Sequence, residues 1–113
     1  MSCDYLETAL ESLSQGRIEP ALFNGYHALE LACKAAIIHR TGETKKSHNV
    51  GGDFGGLFRA EVGKERCKRI NRILARYSLP RYPGESTQDP NEAAKDIEFI
   101  RHIVREVVPR LFR

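Results

Sequence analysis

The stretch EPALFNGYHALELACKAAIIHR, residues 19–40, decides the fold. Read as a helix, it carries apolar side chains on two adjoining faces: Leu22, Tyr26, Leu29, Cys33, Ala36 and Ile37 on one, Ala28, Leu31, Ala32, Ala35 and Ile38 beside it. A helix with that much apolar circumference belongs in the middle of a bundle, not on its outside. It is not a membrane span, because its most apolar run, ALELACKAAII (28–38), is about half the ~20 residues a bilayer requires and contains Glu30 and Lys34. Gly25 and the alanines keep parts of the surface low, which lets another helix approach closely, and the surplus apolar surface suits coverage by a second copy of the chain.

Upstream, residues 3–14 place Tyr5, Leu6, Ala9, Leu10 and Leu13 at spacings of three and four, the pattern of a surface helix with one buried stripe. The turn SQGR (14–17) ends it, and Pro20 fits the first turn of the central helix, where its missing N–H has no cost. Downstream, Gly42 suits the left-handed position after a helix end, and TGETKK follows as a polar loop. Ser47 is placed to cap a short helix with Val50, Phe54, Leu57 and Phe58. Gly51, Gly52, Gly55 and Gly56 each cost that helix about 1 kcal/mol against alanine, so it is either short and mobile or packed tightly on the central helix. A fourth helix, about 63–79, sets Cys67, Ile70, Leu74 and Tyr77 on one stripe and Arg69, Arg72 and Arg76 on the other side, and stops before Pro80. Asp89, Pro90 and Glu92 form a capping box with proline at the first helical position. Ala93, Ile97, Ile100, Val104, Val107 and Leu111 then mark a long final helix, bent or ended near Pro109. With short connections and no alternating strand pattern, the expectation is a single all-α domain over 1–113: an antiparallel up-and-down bundle of four main helices plus a short glycine-rich one.

A charged fraction of 29% beside 41% hydrophobic residues is that of an ordinary globular domain. Cys3, Cys33 and Cys67 are odd in number and form no CxxC pair, which points away from disulfides and cysteine zinc sites and toward a reducing cytoplasm. MSCDYLETAL lacks the basic and long apolar regions of a signal peptide.

The net charge of +3 hides a segregation. Between Arg59 and Tyr82 stand eight basic residues against two acids, a concentration that attracts phosphates. The alternative is that these side chains solvate an outer face and pair with Glu92, Asp96 and Glu98 of the last helix. The turn RYPGE (81–85) ends this basic region. Among the four histidines no pair has the i, i+4 spacing of a helical metal site, and no cofactor or metal is expected. No GxSxG, Walker or GxGxxG motif occurs, and GGDFGG lacks the lysine and preceding strand of a phosphate loop. Cys33 and Cys67 fall on packing stripes, where a thiol is structural.

Tyr26, His27 and Ala28 at the start of the central helix, Lys46, Ser47 and His48 with Phe58 ten residues on, and Arg81, Tyr82 and Pro83 resemble, in this order, a HEPN domain of the small stand-alone prokaryotic type. The resemblance covers nearly the whole chain. It implies an antiparallel helical bundle that forms homodimers and acts beside a minimal nucleotidyltransferase in toxin–antitoxin pairs. Some members of the family are metal-independent ribonucleases with an arginine followed, after four to six residues, by a histidine. This chain departs from that pattern: seven residues separate Arg40 from His48, and the position after Arg76 that matches the spacing holds Tyr82. A phenol titrating near ~10 is a poor general base at neutral pH. The leading expectation is therefore a noncatalytic binding module that meets a nucleotide, RNA or partner protein through Arg69, Arg72, Arg76, Arg81 and Tyr82. The alternatives are a ribonuclease toxin using Arg40 and His48, and a purely structural interaction subunit.

Overall fold

The computed structural model describes residues 2–43, 49–77 and 89–112, and all regular structure among them is helical. The elements are α1 (Ser2–Ser14), α2 (Ile18–Thr41), α3 (Val50–Val62), α4 (Lys64–Tyr77) and α5 (Pro90–His102). A π-helical turn (Ile103–Val107) and a 3-10 segment (Val108–Phe112) continue from α5. α2 is the axis of the bundle and contacts α1, α3, α4, α5 and both C-terminal segments. The all-α bundle read from the sequence is the one observed.

The ends of α2 follow from its flanking residues. Pro20 sits third in the helix, inside the first turn, where backbone N–H groups have no intrahelical acceptor. At the other end Gly42 takes φ 73° and its N–H donates to the Ile38 carbonyl at 2.7 Å, a left-handed cap that L side chains resist. Gly25 lets α5 approach: a Cβ there would stand 2.7 Å from Ile97 Cδ1 and 3.3 Å from Ile100 Cδ1.

α3 extends to thirteen residues in spite of its four glycines, because packing supplies what propensity lacks. Phe54 and Phe58 are buried with ring centroids 4.9 Å apart, and Val50 and Val62 close the same face. Two of the glycines meet α4, not α2: Gly51 lies so close to Asn71 that a Cβ would stand 2.8 Å from the Asn71 Cα, and one on Gly55 would touch Cys67 Cβ at 3.6 Å. The cap of α3 is Asn49, whose side chain accepts from the Gly52 N–H at 3.2 Å; Ser47 lies outside the described residues. A single residue, Gly63 at φ 104°, joins α3 to α4, its N–H donating to the Arg59 carbonyl and its own carbonyl accepting from the Cys67 N–H.

α4 buries Cys67, Ile70, Ile73 and Leu74. α5 opens with Pro90 behind Asp89, whose carboxylate accepts from the Asn91 N–H at 2.8 Å, one position nearer than the expected contact at Glu92. It buries Ala93, Ile97 and Ile100, and the core continues through Ile103, Val104, Val107 and Val108. Pro109 acts further back than a simple stop would. Its ring crowds the carbonyl four residues earlier and it donates no bond, and the backbone answers by widening: the Val108 N–H reaches the Ile103 carbonyl, five residues back.

Candidate functional site

α4 and α5, both packed on α2, leave a cleft of about 390 Å³ lined by Arg69, Arg72, Ile73 and Arg76 of α4 and Glu92, Lys95 and Asp96 of α5. Three of the five ligand-binding residues read from the sequence thus share one hollow; Arg81 and Tyr82 lie outside the described residues. The volume falls within the ~300–1,000 Å³ typical of small-ligand sites. Four cations face two carboxylates across it, so the cleft keeps a positive excess.

Arg69 ties the two helices together. Its guanidinium lies 4.3 Å above the Phe99 ring centroid, reaches the Lys95 carbonyl at 3.4 Å and stands 3.5 Å from the Asp96 carboxylate. A cation on an aromatic face contributes about 0.5–1 kcal/mol at such a site and a solvent-accessible ion pair about 0–1 kcal/mol. Arg69 is therefore a positioning residue for the cleft wall. Arg72 is exposed and makes no ion pair with another described residue. Glu98, a candidate partner for the basic helix, bonds Arg101 on its own helix, and that guanidinium holds its carboxyl below the usual carboxylate range. Lys95 is the lining cation that sequence reasoning missed: it sits on a different helix from the basic cluster, and only the α4–α5 pairing brings it in.

The alternative catalytic pair comes out differently. Arg40 is held on α3, with its guanidinium 2.8 Å from the Glu61 carboxylate, 3.2 Å from the Leu57 carbonyl and 4.4 Å above the Phe58 ring centroid. His48 lies outside the described residues. Of the described histidines none lines the cleft. His39 stacks near Phe112 at 4.7 Å and His102 Nδ1 contacts Glu106 Oε2 at 2.5 Å. His27 stands amid Tyr5, Phe23 and Tyr26, with ring centroids 5.4, 4.5 and 5.0 Å away. The Tyr26 hydroxyl donates to Glu30 Oε2 at 2.8 Å, and burial together with that carboxylate pushes its phenol up to about 12. Burial raises the Cys33 and Cys67 thiols above their ordinary range, against which Arg59 works at Cys67, so neither is a nucleophile at neutral pH. Among the described residues no three His, Cys, Asp or Glu side chains gather as metal ligands, and no helix is long and apolar enough to cross a membrane.

No curated protein and no solved structure matches the chain. A family model of the HEPN domain matches residues 2–111. That match takes in the five described α-helices and the C-terminal segments up to Leu111, the bundle axis and both walls of the cleft alike. On that coverage, the chain belongs to the HEPN domain family.

Proposed function

We propose that the protein is a noncatalytic HEPN binding module of the cytoplasm, a homodimer that offers the α4–α5 cleft to a nucleotide or RNA. In a toxin–antitoxin-like pair the same face would meet a minimal nucleotidyltransferase partner. The observation that carries this reading is the convergence of Arg69, Arg72, Arg76 and Lys95 on one hollow with no described histidine in its wall. Such a site attracts phosphate and stabilises its charge, and none of its described residues is an imidazole that could move a proton. Arg81 and Tyr82, next in the chain after α4, would add charge and a stacking face. The homodimer is supported by α2, which leaves Phe23 60% and Ile38 40% exposed, with Leu31 and Ala35 between them on the same side.

Fluorescence anisotropy with labelled RNA and with nucleotides, at two salt concentrations, tests the reading. Salt-sensitive binding that Arg72→Gln/Arg76→Gln abolishes supports it, provided RNA incubated with the pure protein in EDTA stays intact. Binding to neither ligand type, or cleavage of the RNA, overturns it.

A further inference from the structure

α4 carries cations at Lys64, Lys68, Arg72 and Arg76, four residues apart each time. A helix turns once in 3.6 residues, so each step climbs about 6 Å and rotates by about 40°, and the row winds obliquely over about 18 Å. Its two ends line different hollows. Arg72 and Arg76 face the α4–α5 cleft, whereas Lys64 and Lys68 face a groove of about 350 Å³ between α3 and α4. That groove also takes Arg59, and no acid lines it. Its α3 wall includes Gly51, Gly52, Gly55 and Gly56, and nothing stands within 4 Å of where a Gly56 side chain would begin, so the helix surface there is open to a close approach. Lys64, Lys68 and Arg72 form no ion pair with another described residue, although like charges four apart disfavour a helix by about 0.2–0.5 kcal/mol per pair.

Resting on the binding-module reading, we infer that the outer face of α4 carries a single-stranded nucleic acid, whose phosphates follow the Lys64–Lys68–Arg72–Arg76 row from the α3–α4 groove into the α4–α5 cleft. A stacked strand advances ~3.4 Å per nucleotide, so the row takes about five nucleotides, and a mononucleotide reaches only one hollow. An acidic protein is the weaker occupant, because the apolar side chains lining the two hollows, Cys67 and Ile73, are 7% and 2% exposed and offer no anchor for a protein side chain. Phosphate contacts alone carry no sequence information, so this path is indifferent to sequence.

The test is anisotropy with labelled oligouridines of two, five and twelve nucleotides on the wild-type chain, Lys64→Gln/Lys68→Gln and Arg72→Gln/Arg76→Gln, with helicity checked for each. The twelve-mer should bind far more tightly than the two-mer. Lys64→Gln/Lys68→Gln should weaken it by about 25-fold at 0.1 M salt and flatten the log–log salt slope by about 1.4, the effect of two lost contacts to a single strand. The two-mer should bind that variant unchanged. A Lys64→Gln/Lys68→Gln chain that holds the twelve-mer like wild type, while Arg72→Gln/Arg76→Gln loses it, overturns the path across α4 and leaves the cleft reading intact. Failure of the wild-type chain to bind any RNA or nucleotide, or binding only of an acidic protein, overturns both.

Discussion

Alanine at Gly51 and alanine at Gly56 should have opposite effects on stability, although the two positions lie five residues apart in one helix. Each replacement favours the helical state by about 1 kcal/mol through backbone entropy. At Gly56 nothing stands within 4 Å of the new methyl, so the gain is realised. At Gly51 the methyl would lie 2.5 Å from Asn71 Oδ1 and 2.8 Å from Asn71 Cα. Carbon atoms rest ~3.5–4.0 Å apart, so the shortfall to the Cα is about 1 Å, and a backbone atom in the middle of α4 has no rotamer with which to yield. α3 has to lift off α4, at the ~1–3 kcal/mol usual for overpacking. We expect Gly51→Ala to destabilise by about 1 kcal/mol net and Gly56→Ala to stabilise by up to about 1 kcal/mol. In a domain of this size that separates their melting temperatures by about 10 °C, readable by circular dichroism at 222 nm. Adding Asn71→Ala to Gly51→Ala removes the clash with the amide oxygen but not with the Cα, so rescue should be partial. If Gly51→Ala raises the melting temperature as much as Gly56→Ala does, the close contact between α3 and α4 is wrong.

Tyr26, with its phenol pushed up to about 12, binds its proton more tightly folded than unfolded, so its contribution to stability is whole below the unfolded value near ~10 and is lost as pH rises through 12. The wild type should therefore lose stability more steeply than Tyr26→Phe over that window in pH-jump unfolding, and equal slopes would refute the burial and the Glu30 contact that raise the phenol. Cys33 should resist iodoacetamide until the chain is unfolded, as mass spectrometry of its peptide would record; rapid labelling in the native state contradicts a fully buried thiol. Phe23→Glu/Ile38→Glu should convert a dimer to a monomer of unchanged helicity in light scattering, and a wild-type chain that is already monomeric at micromolar concentration removes α2 as the dimer face.

The bundle was legible where one residue determines one local feature. Gly42 at the end of α2, Pro90 behind Asp89, and the apolar face of Leu22, Leu29, Cys33, Ala36 and Ile37 read correctly, because a cap or a buried face is written in its own helix, whereas on the adjoining face only Ala28 and Ala32 are buried. What depends on which helix lies next to which was not legible. Glycine carries no side chain to signal its neighbour, so the α4 contact of Gly51 could equally be read as a contact with α2. Asn49 caps α3, and the burial of Val50 and Phe54 that follows depends on neighbouring elements the cap residue does not signal. Arg69, Arg72 and Arg76 were recognisable as one cationic set, but the partners of Arg69, Phe99 and Asp96, and the extra cation Lys95 come from a helix distant in sequence. Arg40 illustrates the same limit: its place ahead of His48 suggested chemistry, while its Glu61 and Phe58 contacts make it a brace between α2 and α3.

Gly63 couples the unfolding of α3 to that of α4. With a lone residue between two helices, the inner ends of α3 and α4 cannot fray separately, since unwinding either one drags the other out of register. Opening has to begin at the outer ends and travel inward. The Gly63 and Cys67 amides, bonded to the Arg59 and Gly63 carbonyls at this elbow, should therefore exchange more slowly than those of an ordinary surface turn.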